Sequence, residues 1–325
     1  MIYTVTFNPC LDYTMHLPAL RFGGINRSSS ESCRCGGKGI NVSLMLHELG
    51  LRSVALGFIG GFSGDELERQ LRESGVDTDF VRLSDGMTRI NVKLRSGSTV
   101  SDTDGRCRDT ACRDDICETD INGAGPQITP AALDALLGRL DTLCTGDVLV
   151  LSGSVPPSMP CDSYLRLLRR LDGRGIRTVL DASGELLRSA LEYSPFLIKP
   201  NSDELGELFG VKLDTPESCL AYARRLQEAG ARNVLVSMGG DGSVLLTEDG
   251  TALRAPALRG RTVNTVGAGD SMVAGFLAGF LDGGDFRCAL SLGTAAGAAT
   301  AFSNGLGRGD EVAWLLDRVE AFSLS

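Results

Sequence analysis

Residues 2–7 alternate apolar and polar positions and are rich in β-formers, and Asn8-Pro9 ends the run. This predicts a strand that passes into a loop. Within 39–50, apolar Ile40, Val42, Leu44, Leu46 and Leu49 fall at helical spacing and Gly50 supplies a stop, which predicts a helix. A buried strand over 53–59 and a helix over 65–74, closed by Gly75, follow. Further along, strands at 147–151, 178–181, 196–199 and 233–237 take turns with helices at 161–171, 203–209 and 216–229. Two helices of small residues, 271–281 and 288–302, end the series. Such alternation predicts the α/β class, a mostly parallel sheet with helices on both faces. The stretches 11–35 and 86–122 break the rhythm. They are strand-like and polar, and are expected to pair as a small sheet over the mouth of the main domain. Within them, 96–117 is rich in Asp, Arg, Ser, Thr and Gly and reads as an extended, exposed loop.

Composition narrows the function classes. A chain of 325 residues holds one large α/β domain with an appendage, or two small domains. Its net charge of −9 argues against non-specific nucleic-acid binding, which needs clustered Lys and Arg. A small anionic substrate needs only a few local cations and stays allowed. The uncharged stretch 288–307 is full of Gly, Ser, Thr, Ala and Asn, too polar for a membrane span. The first residues carry no signal-peptide pattern, so a soluble cytoplasmic protein is expected. Ten cysteines with no CxxC pair, beside two histidines, read as reduced thiols rather than a disulfide framework or a zinc site.

Two glycine-rich turns carry candidate chemistry. In Asn264-Thr265-Val266-Gly267-Ala268-Gly269-Asp270-Ser271, glycines let the backbone approach a ligand and a helix start offers free N–H groups to an anion. Asp270 then reads in two ways: a carboxylate that accepts the proton of an attacking hydroxyl, or a structural helix cap. In Gly36-Gly37-Lys38-Gly39-Ile40-Asn41-Val42, Lys38 supplies a cation and Asn41 an amide, suited to a polar or phosphorylated ligand; a tight turn with an exposed lysine is the alternative. No GxxxxGK[ST] run exists, 37–42 lacks the third glycine of a dinucleotide fingerprint, and 269–273 lacks the closing glycine of a nucleophile elbow.

Taken together, the two turns resemble the signatures of the PfkB branch of the ribokinase-like family. The resemblance extends to Tyr3 through Pro9 with Asp12, Gly60 through Gly64, Thr88 through Lys93, Glu118 through Gly123, Leu151 through Pro156, Ile198 through Asn201 and Val236 through Gly240. It implies a three-layer α/β/α core of 1–10, 36–85 and 123–325, with a β lid of 11–35 and 86–122. It implies an ATP-dependent, Mg²⁺-requiring kinase that phosphorylates fructose 1-phosphate at C6. Tagatose 6-phosphate is the alternative acceptor, and a non-catalytic sugar-phosphate sensor the alternative of another class. No nucleic acid or membrane partner is implied; a homodimer through the lid is.

The resemblance also assigns roles. Asp12 would bind sugar hydroxyls from the lid. Gly37, Lys38 and Asn41 would line the sugar-phosphate pocket, with Ser152 or Ser154 nearby, and Arg27 and Arg89 would clamp the phosphate. Asn201 and Glu204 would organise Mg²⁺ through water, though they also fit a plain helix-start pair. Lys199, Ser237, Gly239 and Gly242 would border the nucleotide. Gly267, Ala268 and Gly269 would form an anion hole, with Asp270 as base. One departure from the family pattern stands out: 96–117 reads as an insertion with three cysteines, which bears on lid closure and on lid-mediated dimerisation. The Cys33/Cys35 pair before the first turn raises a redox role, which needs a lowered thiol pKa.

Overall fold

A computed structural model describes residues 1–96 and 117–324. Most of the insertion read at 96–117, with Cys107 and Cys112, therefore lies outside the described residues, as does the side chain of Cys117.

The main sheet has eleven strands among the described residues. Within it Ile2–Thr6 lies between Val148–Ser152 on one side and Ser53–Gly60 on the other, parallel to both. Arg177–Asp181, Leu197–Ile198 and Asn233–Ser237 continue the parallel order outward from Val148–Ser152. An antiparallel run of Ser243–Leu246, Ala252–Ala255 and Phe322–Ser323 completes that edge. Every residue of Val148–Ser152 is buried, as a strand covered on both faces requires. One face packs under Pro130–Leu140, Ser163–Leu171 and Pro216–Glu228, with Phe7 and Tyr164 in ring contact at 4.7 Å. The other packs under Lys38–Glu48, Ala268–Leu281 and Phe286–Phe302.

Small residues bring the last two helices together. A Cβ on Gly275 would lie 2.5 Å from the Leu292 carbonyl oxygen, and one on Gly293 2.9 Å from that of Met272. The uncharged stretch near residue 300 is thus a packed core helix. No helix among the described residues is long and apolar enough to cross a membrane.

A second sheet has four strands in the order Ser30–Gly36, Cys10–Leu17, Arg89–Ser96 and Cys117–Asn122. Register puts Cys10 opposite both Gly36 and Arg89, and Asn91 opposite Asn122. All four strands therefore meet the main body at the same end of this sheet.

Three local readings need correction. The helix read at 65–74 begins earlier, as Gly61–Glu73, and takes in most of Gly60 through Gly64; its N-cap Gly60 is extended. Pro130–Leu140 is a helix that the periodicity reading passes over; Thr129 caps it through the N–H of Ala132 and Pro130 takes the first position. The hairpin of Ser243–Leu246 and Ala252–Ala255 is likewise missing from the expectation.

Because the approach of Ala268–Leu281 to Phe286–Phe302 leaves no room for a side chain, Gly275→Val is expected to destabilise the fold by about 3 kcal/mol or more. Urea unfolding followed by circular dichroism measures this; an unchanged midpoint would show that the helix pair can separate at little cost.

Candidate active site

The C-terminal ends of the parallel strands open into a cleft of about 840 Å³. It lies over the C-terminal ends of Arg177–Asp181, Leu197–Ile198 and Asn233–Ser237, the edge at which open α/β sheets bind ligands. Asp181 ends one strand, Lys199 follows the next, and Ser237 ends the third. The two glycine turns reach the same cleft from the helix layer.

At its base sits a charge cluster. Lys38 Nζ lies 3.1 Å from Asp181 Oδ2 and Lys199 Nζ lies 3.3 Å from Asp181 Oδ1. Asp181, Lys199 and Asp270 are only 2%, 5% and 5% exposed. Asn41 Nδ2 donates to Asp270 Oδ2 at 2.8 Å. Burial, and next the negative charge of Asp181, push the Asp270 carboxyl up to about 7, against the pull of Asn41, Lys38 and Lys199. Burial also works to raise Asp181, yet the Lys199 and Lys38 ammonium groups override it and hold Asp181 below the ordinary range. For Lys38 burial acts downward, and the carboxylates of Asp181 and Asp270 prevail and raise it. One carboxylate is thus fixed as an anion between two cations, and the other is poised near neutrality beside it.

Asp270 stands in the first turn of Ala268–Leu281, whose N-cap Gly267 has φ 84 and no side-chain cap. Only a residue without a Cβ adopts that angle without strain. Ser271 N–H bonds Gly267 O at 2.9 Å and Ala268 N–H reaches Thr265 O at 3.3 Å. Among the described residues, no hydrogen bond engages the N–H of Gly269 or Asp270. Lys199 Nζ lies 3.1 Å from where a Cβ of Gly269 would stand. The turn therefore offers amides, a helix N-terminus and an ammonium to one point, an arrangement that suits a phosphoryl group.

Asp12, Gly37, Arg89 and the nucleotide candidates Ser237, Gly239 and Gly242 also line this cleft. Asp12 faces it from the small sheet; Asn91 Nδ2 donates to its Oδ1 at 2.9 Å and Lys93 Nζ lies 3.7 Å from its Oδ2. Arg89 Nε donates to Asn8 O at 3.1 Å, leaving the rest of its guanidinium for a ligand. Gly242, at φ 93, is also demanded by packing, because a Cβ there would overlap the backbone of Ala255 to Ala257. Asn201 and Glu204 line the cleft while forming a full capping box: Asn201 Oδ1 accepts from Glu204 N at 2.7 Å and Glu204 Oε2 from Asn201 N at 2.8 Å.

Three expected residues are not brought into this cleft. Arg27 is exposed on the connection between Cys10–Leu17 and Ser30–Gly36. Ser152 is buried at the end of its strand, its hydroxyl without a hydrogen-bond partner among the described residues. Ser154 is exposed on the loop beyond. Sequence reasoning missed Asp181, Asn91 and Lys93. Asp181 carried one usable signal: a carboxylate at the end of a strand predicted to be parallel and buried. The thiols near the cleft are held protonated; burial pushes Cys10 up to about 12 and Cys35 up to about 11, and it also raises Cys33.

Fold and cleft define a small-molecule phosphotransferase, and the pfkB family carbohydrate kinase model matches residues 5–312. The chain belongs to that family. It is 44% identical to the 1-phosphofructokinase of Bacillus subtilis across 100% of both chains. It is 36% identical to the D-tagatose-1-phosphate kinase of Bacillus licheniformis, covering 94% of each. Among solved structures it resembles phosphofructokinase-2 of Escherichia coli in complex with fructose-6-phosphate, with TM-score 0.84, 26% identity and 98% of both chains covered.

The cluster predicts opposite pH shifts. Asp181→Asn removes the like charge beside Asp270, so the acidic limb of kcat/KM moves to lower pH; Asn41→Ala removes a donor to the carboxylate, so the limb moves to higher pH. Shifts in one common direction would break the assignment. Separately, Asp270→Asn should lower turnover by about 10³ or more. Asp270 titrates near 7 in the folded chain, above its ordinary 3.8, so its ionisation removes stability as pH rises through that window. The asparagine variant should therefore melt higher than the parent at pH 8, and differ little at low pH.

Proposed function

We propose that this chain transfers the γ-phosphoryl group of ATP to the C6 hydroxyl of fructose 1-phosphate, giving ADP and fructose 1,6-bisphosphate. The observation that carries this reading is the buried Asp270 carboxylate, poised near neutrality beside unbonded amides and two lysines. Relatives named 1-phosphofructokinase, one similar over its whole length, support it.

In this reading Asp270 accepts the C6 hydroxyl proton as the oxygen attacks the γ-phosphorus. The bond from that phosphorus to the bridging oxygen of ADP breaks. The N–H groups at Gly269 and Asp270, with Lys38 and Lys199, stabilise charge on the moving group. Lys38, expected to line the sugar-phosphate pocket, acts at the transfer point in this reading, which its contact with Asp181 supports. Arg89 holds the C1 phosphate, and Asp12 the sugar hydroxyls, from the small sheet. Glu204 fits a Mg²⁺ held through water, since the capping box with Asn201 uses Oε2 and leaves the carboxylate oxygen Oε1 free of bonds within it to accept from a metal-bound water. The metal would neutralise the ATP phosphates.

We take segments 11–35 and 86–122 as a lid over the core formed by 1–10, 36–85 and 123–325, closing to exclude water. Pairing of two lids would make a homodimer; Escherichia coli phosphofructokinase-2 has been solved in a tetrameric inhibited form. Both substrates are phosphorylated metabolites, which supports a cytoplasmic location.

D-tagatose 1-phosphate is the second acceptor, favoured by the relative named for it. It differs from fructose 1-phosphate only in configuration at C4 and carries the phosphate at the same carbon. It thus replaces tagatose 6-phosphate as the alternative. A sensor without catalysis would need no poised carboxylate.

ADP release measured against a panel of ketose and aldose phosphates tests the reading. Fructose 1-phosphate should give the highest kcat/KM, and Arg89→Ala should raise its KM by about tenfold while leaving the KM for ATP near the parent value. A preference for an aldose phosphate, or no turnover with any, would end it.

A further inference from the structure

Beside the active cleft lies a second one of about 680 Å³, between the small sheet, the helix Lys38–Glu48 and the loop 303–309. Arg34 crosses it. Register sets Arg34 opposite Asp12, so both side chains leave the small sheet on the face turned to the core. The Arg34 guanidinium lies over Gly305, and a Cβ on that glycine would overlap Arg34 Nη1. Other cations of this cleft are already paired: Arg95 with Glu118, Lys93 with Asp12, Arg308 with Asp310. Among the described residues no carboxylate lies within ion-pair distance of Arg34. Its one structural engagement there is this seat on a loop of the main body.

That loop bears directly on the transfer point. Leu306 Cδ2 lies 2.9 Å from where a Cβ of Gly267 would stand. Gly307 N–H donates to Thr300 Oγ1 at 2.9 Å, and that hydroxyl shares a hydrogen bond of 2.7 Å with Ser271 Oγ, next to Asp270. Gly309 N–H is held by Glu48 Oε2 at 2.9 Å. A continuous set of contacts therefore runs from the small sheet through Arg34, Gly305 and Leu306 to Gly267.

We infer that Arg34 is a positioning residue: it braces the small sheet against the loop 303–309, and so ties the closed position of that sheet to the backbone turn that receives the γ-phosphoryl group. The inference rests on the kinase reading above. Without the brace the sheet closes at no fixed angle and water enters. The γ-phosphorus then still leaves the ADP oxygen, but its new bond forms to a water oxygen, and the products are ADP, inorganic phosphate and a proton.

The test compares fructose 1,6-bisphosphate formed with inorganic phosphate released, at saturating ATP and fructose 1-phosphate. Arg34→Ala should lower kcat for the bisphosphate by about tenfold, with both KM values within about twofold, and raise the phosphate-to-bisphosphate ratio several-fold. Arg34→Lys should recover part of the loss. Gly305→Ala, which displaces the guanidinium without removing it, should match Arg34→Ala, and the double variant should be no worse than either. Arg34 is exposed, so Arg34→Ala should melt with the parent, keeping the comparison valid if Gly305→Ala folds poorly. An unchanged ratio in Arg34→Ala, losses that multiply in the double variant, or a raised KM for the sugar phosphate at unchanged kcat would each overturn the brace. A parent protein that transfers to no ketose phosphate would instead overturn the functional reading.

Discussion

Everything in the cleft depends on Asp181 remaining ionised while buried. An isolated carboxylate in that position would take up a proton. Lys199 and Lys38 prevent this, one on each oxygen. The same two contacts give the lysines fixed positions that flexible side chains would not otherwise keep. The negative charge so trapped then acts on Asp270, which has a hydrogen bond from Asn41 but, among the described residues, no ion pair of its own. A structural ion pair thus adds to burial in raising the proton affinity of its neighbour. Such pairs contribute little to stability once desolvation is counted; here the arrangement makes chemical sense as a way to hold two carboxylates in different states a short distance apart.

The sheet explains why these groups can meet. Asp181 and Lys199 sit at the ends of adjacent parallel strands, and Lys38 and Asp270 enter from helix starts in the layer above. Each strand end points the same way because crossover connections return the chain to the same edge. Separation along the sequence is therefore no obstacle, and a site assembled from four distant segments is rigid at every corner.

That geometry also explains what could be read from the letters. The glycine turns were legible because their requirement is local: Gly37 at φ 128 and Gly267 at φ 84 hold conformations that other residues avoid. Regular helices and buried strands were legible through periodicity. Pro130–Leu140 also announced itself through Thr129 and Pro130, a boundary signal that apolar spacing alone does not weigh. Asp181 was not legible as a site residue, because its meaning comes from two lysines in other segments. Asn201 and Glu204 show the converse: the pattern fits both a helix cap and a proposed metal motif, and the letters alone cannot separate the two; the fold shows the cap. Arg27, Ser152 and Ser154 were assigned by resemblance alone, and in this chain's own fold none of them faces the cleft.

The attachment of the small sheet has a mechanical corollary. Its four strands join the main body in a row at one end, and neighbouring junctions are tied together, as Asn8 is to Ala124 and Arg89 to Asn8. Such a row behaves as a door hinge and resists twisting or sliding. With a rise of about 3.3 Å per residue, a swing of about 15° would carry the far end of Cys10–Leu17 roughly 6 Å, yet shift Asp12 by only about 2 Å. Asp12 and Arg89 thus ride next to the axle, where placement is nearly constant, and the larger displacement of such a swing falls to the outer rim.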